Sequence, residues 1–347
     1  MQSDPDQRSW LAAQKWRILL SLLVLGALFF FLKRHADFDS HAFFVTLGGF
    51  EHRWIAISLA IALVQVLAQA TRLWRLFPRP VPLDEPPPPS WLAITYPFII
   101  GQCVNMFAPA RAGDFLKLGL ITRNENQRTV TVTAALVLDK LIDAISFMLV
   151  VIILCSSKMG VYAAEHLSPT KIELALGAIA VVIAALWFGL IRKHLRDNKL
   201  PKLAHPRLMA WAMLISAAAW IAESTALNAV ARGLHLHLSL SDSTWVLFLL
   251  NLGTAVPISI GNVGIFEAAI AFGLRTIGIP FEIGIVIGTV HHAIQVGTVY
   301  IWAAVLWPFR RKAAVEVAAP APAVNPPVGE PAPSANPHPP KSPPSAS

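Results

Sequence analysis

The sequence predicts an all-α polytopic membrane protein, and three observations lead to this fold class. Of the 347 residues, 55% are hydrophobic and only 14% are charged, far from the composition of soluble domains. Uncharged apolar stretches recur at lengths near the roughly 20 residues that a helix needs to cross a bilayer. Two of these stretches are interrupted by glycine and proline beside charged residues, which is typical of helices that break inside a membrane protein.

Six apolar stretches succeed one another along the chain. They cover residues 18–32, 54–71, 174–191, 208–222, 243–266 and 283–309. The first is followed by Lys33, Arg34 and His35 instead of a small-residue cleavage site. It is therefore predicted to be an uncleaved span and not a signal peptide.

The basic residues decide between six and eight spans. Eight simple crossings would place the most basic loop, 192–207, outside the cell, against the positive-inside rule. That rule is obeyed when the interrupted regions, about 91–121 and 244–275, are re-entrant hairpins that enter from opposite faces. The six predicted spans are then 17–33, 54–72, 129–157, 172–191, 208–231 and 283–307.

This topology divides the chain into three regions. Residues 1–16 are a cytoplasmic N-terminal segment, 17–308 form the integral-membrane domain, and 309–347 form a disordered, Pro/Ala-rich cytoplasmic tail. The expected location is a bacterial cytoplasmic (inner) membrane with both termini on the cytoplasmic side.

The first interruption combines helix breakers with charge. Pro109 can open a helix, and Arg111 and Lys117 lie on either side of that helix start. A helix N-terminus beside a guanidinium is suited to bind an anion such as a lipid phosphate. The alternative is that Arg111 reaches headgroups or pairs with Asp114. The candidate binding residues here are Asn105, Pro109, Arg111, Gly113, Asp114 and Lys117.

Three further charges interrupt an apolar helix. Asp139 and Asp143 share a helix face, and Lys140 can reach Asp143 one turn on. Because charge facing lipid is costly, all three are expected to face the bundle interior. They are either a self-compensated ion cluster or part of a path for substrate or protons.

The second interruption contains Pro257, Gly261 and Gly264, which end one helix and allow close backbone approach. Glu267 follows near the start of the returning helix. It either caps that helix or acts as a partner of Arg111 or Lys140.

Other polar residues lie in apolar stretches. Glu223 is a lone acid and a further binding candidate. His291 and Gln295 share a helix face with hydrogen-bonding spacing, and His292 adjoins them. Gln65 and Gln69, one turn apart, are expected to hold helices together.

Several functional classes lack support in the sequence. No Walker loop, dinucleotide fingerprint, nucleophile elbow or zinc motif is present, so no catalytic residue, metal or cofactor is predicted. The net charge of +8 arises from residues that flank spans and does not indicate nucleic-acid binding.

Taken together, these motifs resemble the integral-membrane domain of lysylphosphatidylglycerol synthases, a family that includes stand-alone, flippase-like proteins. The resemblance covers about 17–308. It is carried by Asn105, Pro109, Arg111, Gly113 and Asp114; by Asp139, Lys140 and Asp143; and by Pro257, Gly261, Gly264, Phe266 and Glu267.

The chain departs from the family pattern in several places. The family usually has Glu at the positions of Asp114 and Asp139, and Arg at those of Lys117 and Lys140. The stretch 258–262 replaces a more usual Ser-Pro-Gly-Gly. Lysine keeps the charge of arginine but cannot form its bidentate hydrogen bonds. The identity of the family's lipid substrate is therefore not assigned to this chain.

The resemblance implies a role in moving lipids between leaflets. We expect a non-enzymatic, flippase-like protein that binds or translocates an anionic membrane lipid, of phospholipid or polyprenyl-phosphate type. A proline-rich tail stands where full synthases carry a soluble aminoacyl-transfer domain. Two alternatives are a membrane-embedded lipid-modifying enzyme and a non-catalytic partner of a separate lipid-synthesis enzyme.

Overall fold

The computed structural model describes residues 40–77, 88–106, 112–124, 129–166, 206–255 and 262–309. The predicted spans 17–33 and 172–191 lie outside the described residues, as do both terminal regions. Four candidate site residues also lie outside them, namely Pro109, Arg111, Pro257 and Gly261.

Within the described ranges the chain is helical. The helices are α1 (Ser40–Gly48), α2 (His52–Arg75), α3 (Trp91–Asn105), α4 (Ala112–Asn124), α5 (Thr129–His166), α6 (Pro206–Arg232), α7 (Leu240–Thr254), α8 (Ile265–Arg275) and α9 (Phe281–Leu306), followed by a 3-10 turn (Trp307–Phe309).

Three helices of the described part are long and apolar enough to cross a membrane. They are α2, α6 and α9 together with its terminal turn, and they coincide with the predicted spans 54–72, 208–231 and 283–307. Helix α5 occupies the predicted span 129–157 and continues to His166. The fold is that of a helical membrane protein, and the number of crossings stays a prediction.

The outside of the bundle is apolar, as expected for a surface that contacts lipid. Val64 on α2, Ile153 on α5 and Leu214 on α6 are 70%, 73% and 70% exposed, respectively. Since a soluble protein rarely exposes so much contiguous apolar surface, these side chains indicate a lipid-facing perimeter.

Helices α2 and α6 are antiparallel and define the two ends of the bundle. The N–H of Glu51, just before α2, donates to the carbonyl of Gly233, just after α6, at 2.9 Å. Farther along, the Ser58 hydroxyl donates to the Ala226 carbonyl at 3.0 Å. We call this extremity the Glu51 end and the opposite one the Trp74 end.

Helices α7 and α8 form a hairpin. The start of α7 and the end of α8 lie together at the Glu51 end of the bundle. The indole N–H of Trp245, in the second turn of α7, donates to the hydroxyl of Thr276, which follows α8, at 2.9 Å. The Asn228 amide near the end of α6 donates to the Leu238 carbonyl just before α7. With 15 and 11 residues, the two helices are only about 22 and 16 Å long, so neither spans a hydrocarbon core of about 30 Å.

Helices α3 and α4 form the other hairpin, which opens at the Trp74 end. The Trp74 indole donates to the Pro89 carbonyl, and the Trp91 indole donates to the Thr71 hydroxyl, both at 3.0 Å. The start of α3 and the end of α4 share one buried apolar cluster, through Ile94 and Ile121. The described helices of the two hairpins therefore enter the bundle from opposite ends, and whether the hairpins are re-entrant in a membrane stays a prediction.

Candidate functional site

The tips of the two hairpins border one polar cavity of about 260 Å³. Gln102 and Met106 reach it from the end of α3, and Asn262 and Phe266 reach it from the second interruption. Helices α2, α6, α7 and α9 complete the wall. Residues next to both interrupted segments thus lie at one site inside the bundle.

Carboxamides dominate the polar lining of this cavity. They come from four helices and one turn, and are Gln65, Gln69, Gln102, Asn251, Asn262 and Gln295. Glu223 is the one acid among the lining residues of the described part, and no lysine or arginine of that part lines the wall. The wall therefore offers many hydrogen-bond donors and acceptors but no positive charge from the described residues.

Glu223 is held on α6 by side chains from two other helices. Its carboxylate binds His291 Nε2 at 2.9 Å, and the Gln295 amide donates to the same oxygen. Gln65 on α2 is a further hydrogen-bond partner. The side chains of Glu223 and His291 are only 9% and 1% exposed. Because water is largely excluded, their polar atoms need these hydrogen bonds to offset the cost of burial.

Glu267 caps α8 and binds a second histidine. Its Oε2 accepts from the N–H of Gly264 at 2.6 Å, and its Oε1 lies 2.8 Å from His292 Nδ1. The backbone at Gly264 has φ +85°, a conformation that side chains rarely tolerate. The ring of Phe266 stacks on His292 at 4.3 Å. The capping interpretation of Glu267 is therefore correct, and its side-chain hydrogen-bond partner is His292.

The acids of α5 bind an arginine on α2. Arg72 donates to Asp139 at 2.8 Å and to Asp143 at 2.6 Å, and also to the Ser216 hydroxyl at 2.7 Å. Arg72 stands at the end of the predicted span 54–72, yet its side chain is only 3% exposed. Asp143 pairs with this arginine, whereas the sequence offers Lys140 as its partner.

Lys140 differs from the expectation in burial as well. It is exposed, whereas the adjacent Asp139 is buried and the sequence predicts all three charges inside the bundle. A long, flexible lysine can place its ammonium away from the apolar region, so its cost at this position is small.

The first hairpin is closed by a near backbone contact. A Cβ built on Gly113 would lie 1.9 Å from the Gly101 carbonyl oxygen, so only glycine fits here. The Gly113 N–H donates to Asn105 Oδ1 at 2.8 Å. Lys117 is buried, with its ammonium 3.1 Å from Asp114 and 4.7 Å from the Phe98 ring centre. These contacts fix the helix start that the sequence singles out.

A polar chain connects this hairpin to the cavity. The Asn105 amide donates to Gln102 Oε1 at 3.4 Å and approaches Asp114 at 3.5 Å, and Asp114 binds Lys117. Of these four, Gln102 is the residue that lines the cavity.

The structure thus separates the predicted site residues into groups. Glu223 lines the cavity, whereas Asn105, Asp114 and Lys117 lie behind its wall at the first hairpin, and Asp139 and Asp143 form the cluster with Arg72. Gln65 and Gln69, expected only to join helices, line the cavity; their i, i+4 spacing was the available signal. The anion site expected at Arg111 lies outside the described residues.

A comparison with protein families places this arrangement in context. The family described as "Lysylphosphatidylglycerol synthase TM region" matches residues 18–303, which is most of the chain. Neither a curated protein nor a solved structure matches it. The resemblance inferred from the motifs is confirmed, and the chain belongs to the lysylphosphatidylglycerol synthase transmembrane-region family.

Proposed function

We propose that this protein binds an anionic membrane lipid by its headgroup and carries it between leaflets, without chemical change to the lipid. The observation that carries the proposal is the polar cavity between two short hairpins that enter from opposite ends. Non-helical backbone at membrane depth persists only where protein or water satisfies it, and transporters commonly place such segments around a substrate site. Family membership supports a role in lipid handling.

The chemistry of the first hairpin supports the choice of an anionic lipid. Lys117 binds Asp114, the charges of Lys140 and Asp139 also act here, and Arg111 directly precedes α4 in the sequence. When Arg111 is counted by its sequence position, three basic residues face two acids, and the local charge is positive by one. In the proposal, the headgroup phosphate binds at this hairpin while the remainder of the headgroup enters the cavity.

The proposal is tested by leaflet-specific labelling of lipid in proteoliposomes. We expect the protein to accelerate the exchange of an anionic lipid, and Arg111→Ala to slow it at least tenfold. The matched control is Arg123→Ala, an exposed arginine on the same hairpin that lies away from the helix start. Exchange at the rate of protein-free vesicles would contradict the proposal, as would equal rates for the two variants.

A second candidate rests on the Glu223–His291 pair at the cavity wall. An acid and an imidazole in hydrogen-bond contact can exchange a proton with a substrate, which suits a membrane-embedded lipid-modifying enzyme. Mass spectrometry of lipids after incubation with the purified protein distinguishes the two candidates. A lipid of altered mass would favour the enzyme, and unaltered lipid that changes leaflet favours transport.

A further inference from the structure

We infer that the cavity recognises a hydroxyl-rich headgroup, that of a polyol- or sugar-bearing lipid. This inference rests on the proposed function and narrows its substrate class. It starts from the lining, in which six carboxamides and one carboxylate face a single space. A carboxamide donates and accepts hydrogen bonds, as a hydroxyl does, and a carboxylate accepts them.

Charge argues against a phosphate in the cavity itself. The lining residues of the described part contribute the acid Glu223 and no lysine or arginine. A phosphate there would be repelled by the carboxylate, and the described lining residues supply no cation to offset a repulsion that is strong where the dielectric is low. Uncharged hydroxyls suffer no such penalty and gain hydrogen bonds.

The lining also offers apolar surface of the kind that a carbon ring requires. Trp220 and Phe266 line the cavity beside the polar groups, and Trp220 is supported from behind by Phe147, whose ring centre is 4.0 Å away. Rigid aromatic surface with a few placed polar groups is typical of small-molecule sites.

The size of the cavity agrees with a headgroup and excludes a whole lipid. At about 260 Å³, it equals the liquid volume of roughly nine water molecules at about 30 Å³ each. A ring with five hydroxyls fits within such a volume, whereas acyl chains must remain among the helices or in the bilayer.

Not every carboxamide is equally available to a ligand. Gln65 and Gln295 already bind Glu223, and removing either would disturb the carboxylate. Gln69 on α2 and Asn251 on α7 approach the cavity from different helices. Asn251 gives one amide hydrogen to the Leu247 carbonyl at 2.8 Å and has further hydrogen-bonding capacity. These two residues are therefore the best sites for substitution.

The test compares two lipids that each carry one negative charge, phosphatidylinositol and phosphatidylethanol. The first has a hydroxylated ring and the second an ethyl group. Their affinities for the purified full-length chain in detergent are measured by native mass spectrometry. We expect phosphatidylinositol to bind about tenfold more tightly or better, because its ring hydroxyls form hydrogen bonds that the ethyl group cannot form.

Variants assign this preference to the cavity. Gln69→Leu combined with Asn251→Leu should reduce the ratio of affinities toward one, and an unfolding temperature in detergent close to that of the wild type shows that the variant is folded. Thr225→Val, an exposed polar position on α6, is the control and should keep the wild-type ratio. A wild-type ratio near one would overturn the inference, as would a double variant that retains the full preference.

Two further measurements distinguish a failure of the headgroup inference from a failure of the transport proposal. Free inositol 1-phosphate, which has the headgroup without acyl chains, should bind far more weakly than the lipid; equal binding would identify a soluble ligand and overturn the lipid assignment. In proteoliposomes, equal acceleration of both lipids would overturn the inference and leave the proposed transport standing. A binding preference without any acceleration would retain the inference and remove transport.

Discussion

Arg72 on α2 and Asp139 on α5 form a buried ion pair at 2.8 Å, with side chains that are 3% and 5% exposed. The pair joins two helices that are separated by both helices of the first hairpin in the sequence. Asp143 and Ser216 satisfy another nitrogen of the same guanidinium, so three helices converge on one side chain.

Removing one partner of this cluster should destabilise the protein strongly. Arg72→Met leaves the buried Asp139 and the partly buried Asp143 without their arginine, and breaking a buried pair costs about 3–5 kcal/mol. Thermal unfolding in detergent measures the effect. Arg75→Met, an exposed arginine one turn on that stacks on Trp74, is the control and should change stability little. Similar losses for the two variants would contradict the structural role of the buried arginine.

The contact between α3 and α4 predicts a sharp difference between two glycines on one helix. Gly113→Ala places a Cβ against the Gly101 backbone, which must shift, and we expect a loss of about 1–3 kcal/mol. At Gly119 no atom lies within 4 Å of the added Cβ, so Gly119→Ala should be neutral or stabilise the helix by up to about 1 kcal/mol. The measurement is the free energy of unfolding of the two variants. Equal effects would contradict the close contact between Gly113 and the Gly101 backbone.

The cap of α8 should be measurable by itself. Glu267→Ala removes the acceptor for the Gly264 N–H and the partner of His292, at a cost of about 1–2 kcal/mol. Glu282→Ala, in the first turn of α9, makes a matched control. Hydrogen exchange of the α8 amides should accelerate in the first variant alone. Unchanged exchange there would argue against the cap.

The ion pair at the Glu51 end predicts a dependence on pH. Burial alone would raise the pKa of Asp242, but the hydrogen bond and charge of Lys158 at 2.6 Å, with the Ser239 cap, hold that pKa below its ordinary value. A lowered pKa in the folded state means that the stabilisation is present above the ordinary carboxyl pKa of about 4 and is lost as the pH falls through the folded value.

Comparing the wild type with Asp242→Asn across pH isolates this contribution. The difference in unfolding temperature should be constant near neutral pH and should shrink below about pH 4. A difference that grows on acidification would have the wrong sign and would exclude the pair as its source.

Local pattern predicted much of the fold. The apolar stretches gave α2, α6 and α9 to within a few residues, since uncharged runs of this length have few alternatives to a membrane helix. Gly113 and Gly264 marked the tips of the hairpins because only glycine fits a close approach or a positive φ. The distribution of basic residues predicted hairpins entering from opposite ends.

The sequence did not predict which side chains pair with one another. Arg72 resembles any arginine that flanks a span, and nothing local indicates that it turns inward to Asp139. Glu223 and His291 are 68 residues apart, and only the packing of α6 against α9 brings them together.

What the sequence by itself determined was the membrane class, several of the helices and the places where helices break, because these depend on composition and on backbone sterics along a short stretch. The tertiary structure decided which polar groups neutralise one another and which are left to line the cavity. A buried charge must find a partner in space, and distance along the chain says nothing about which partner that is.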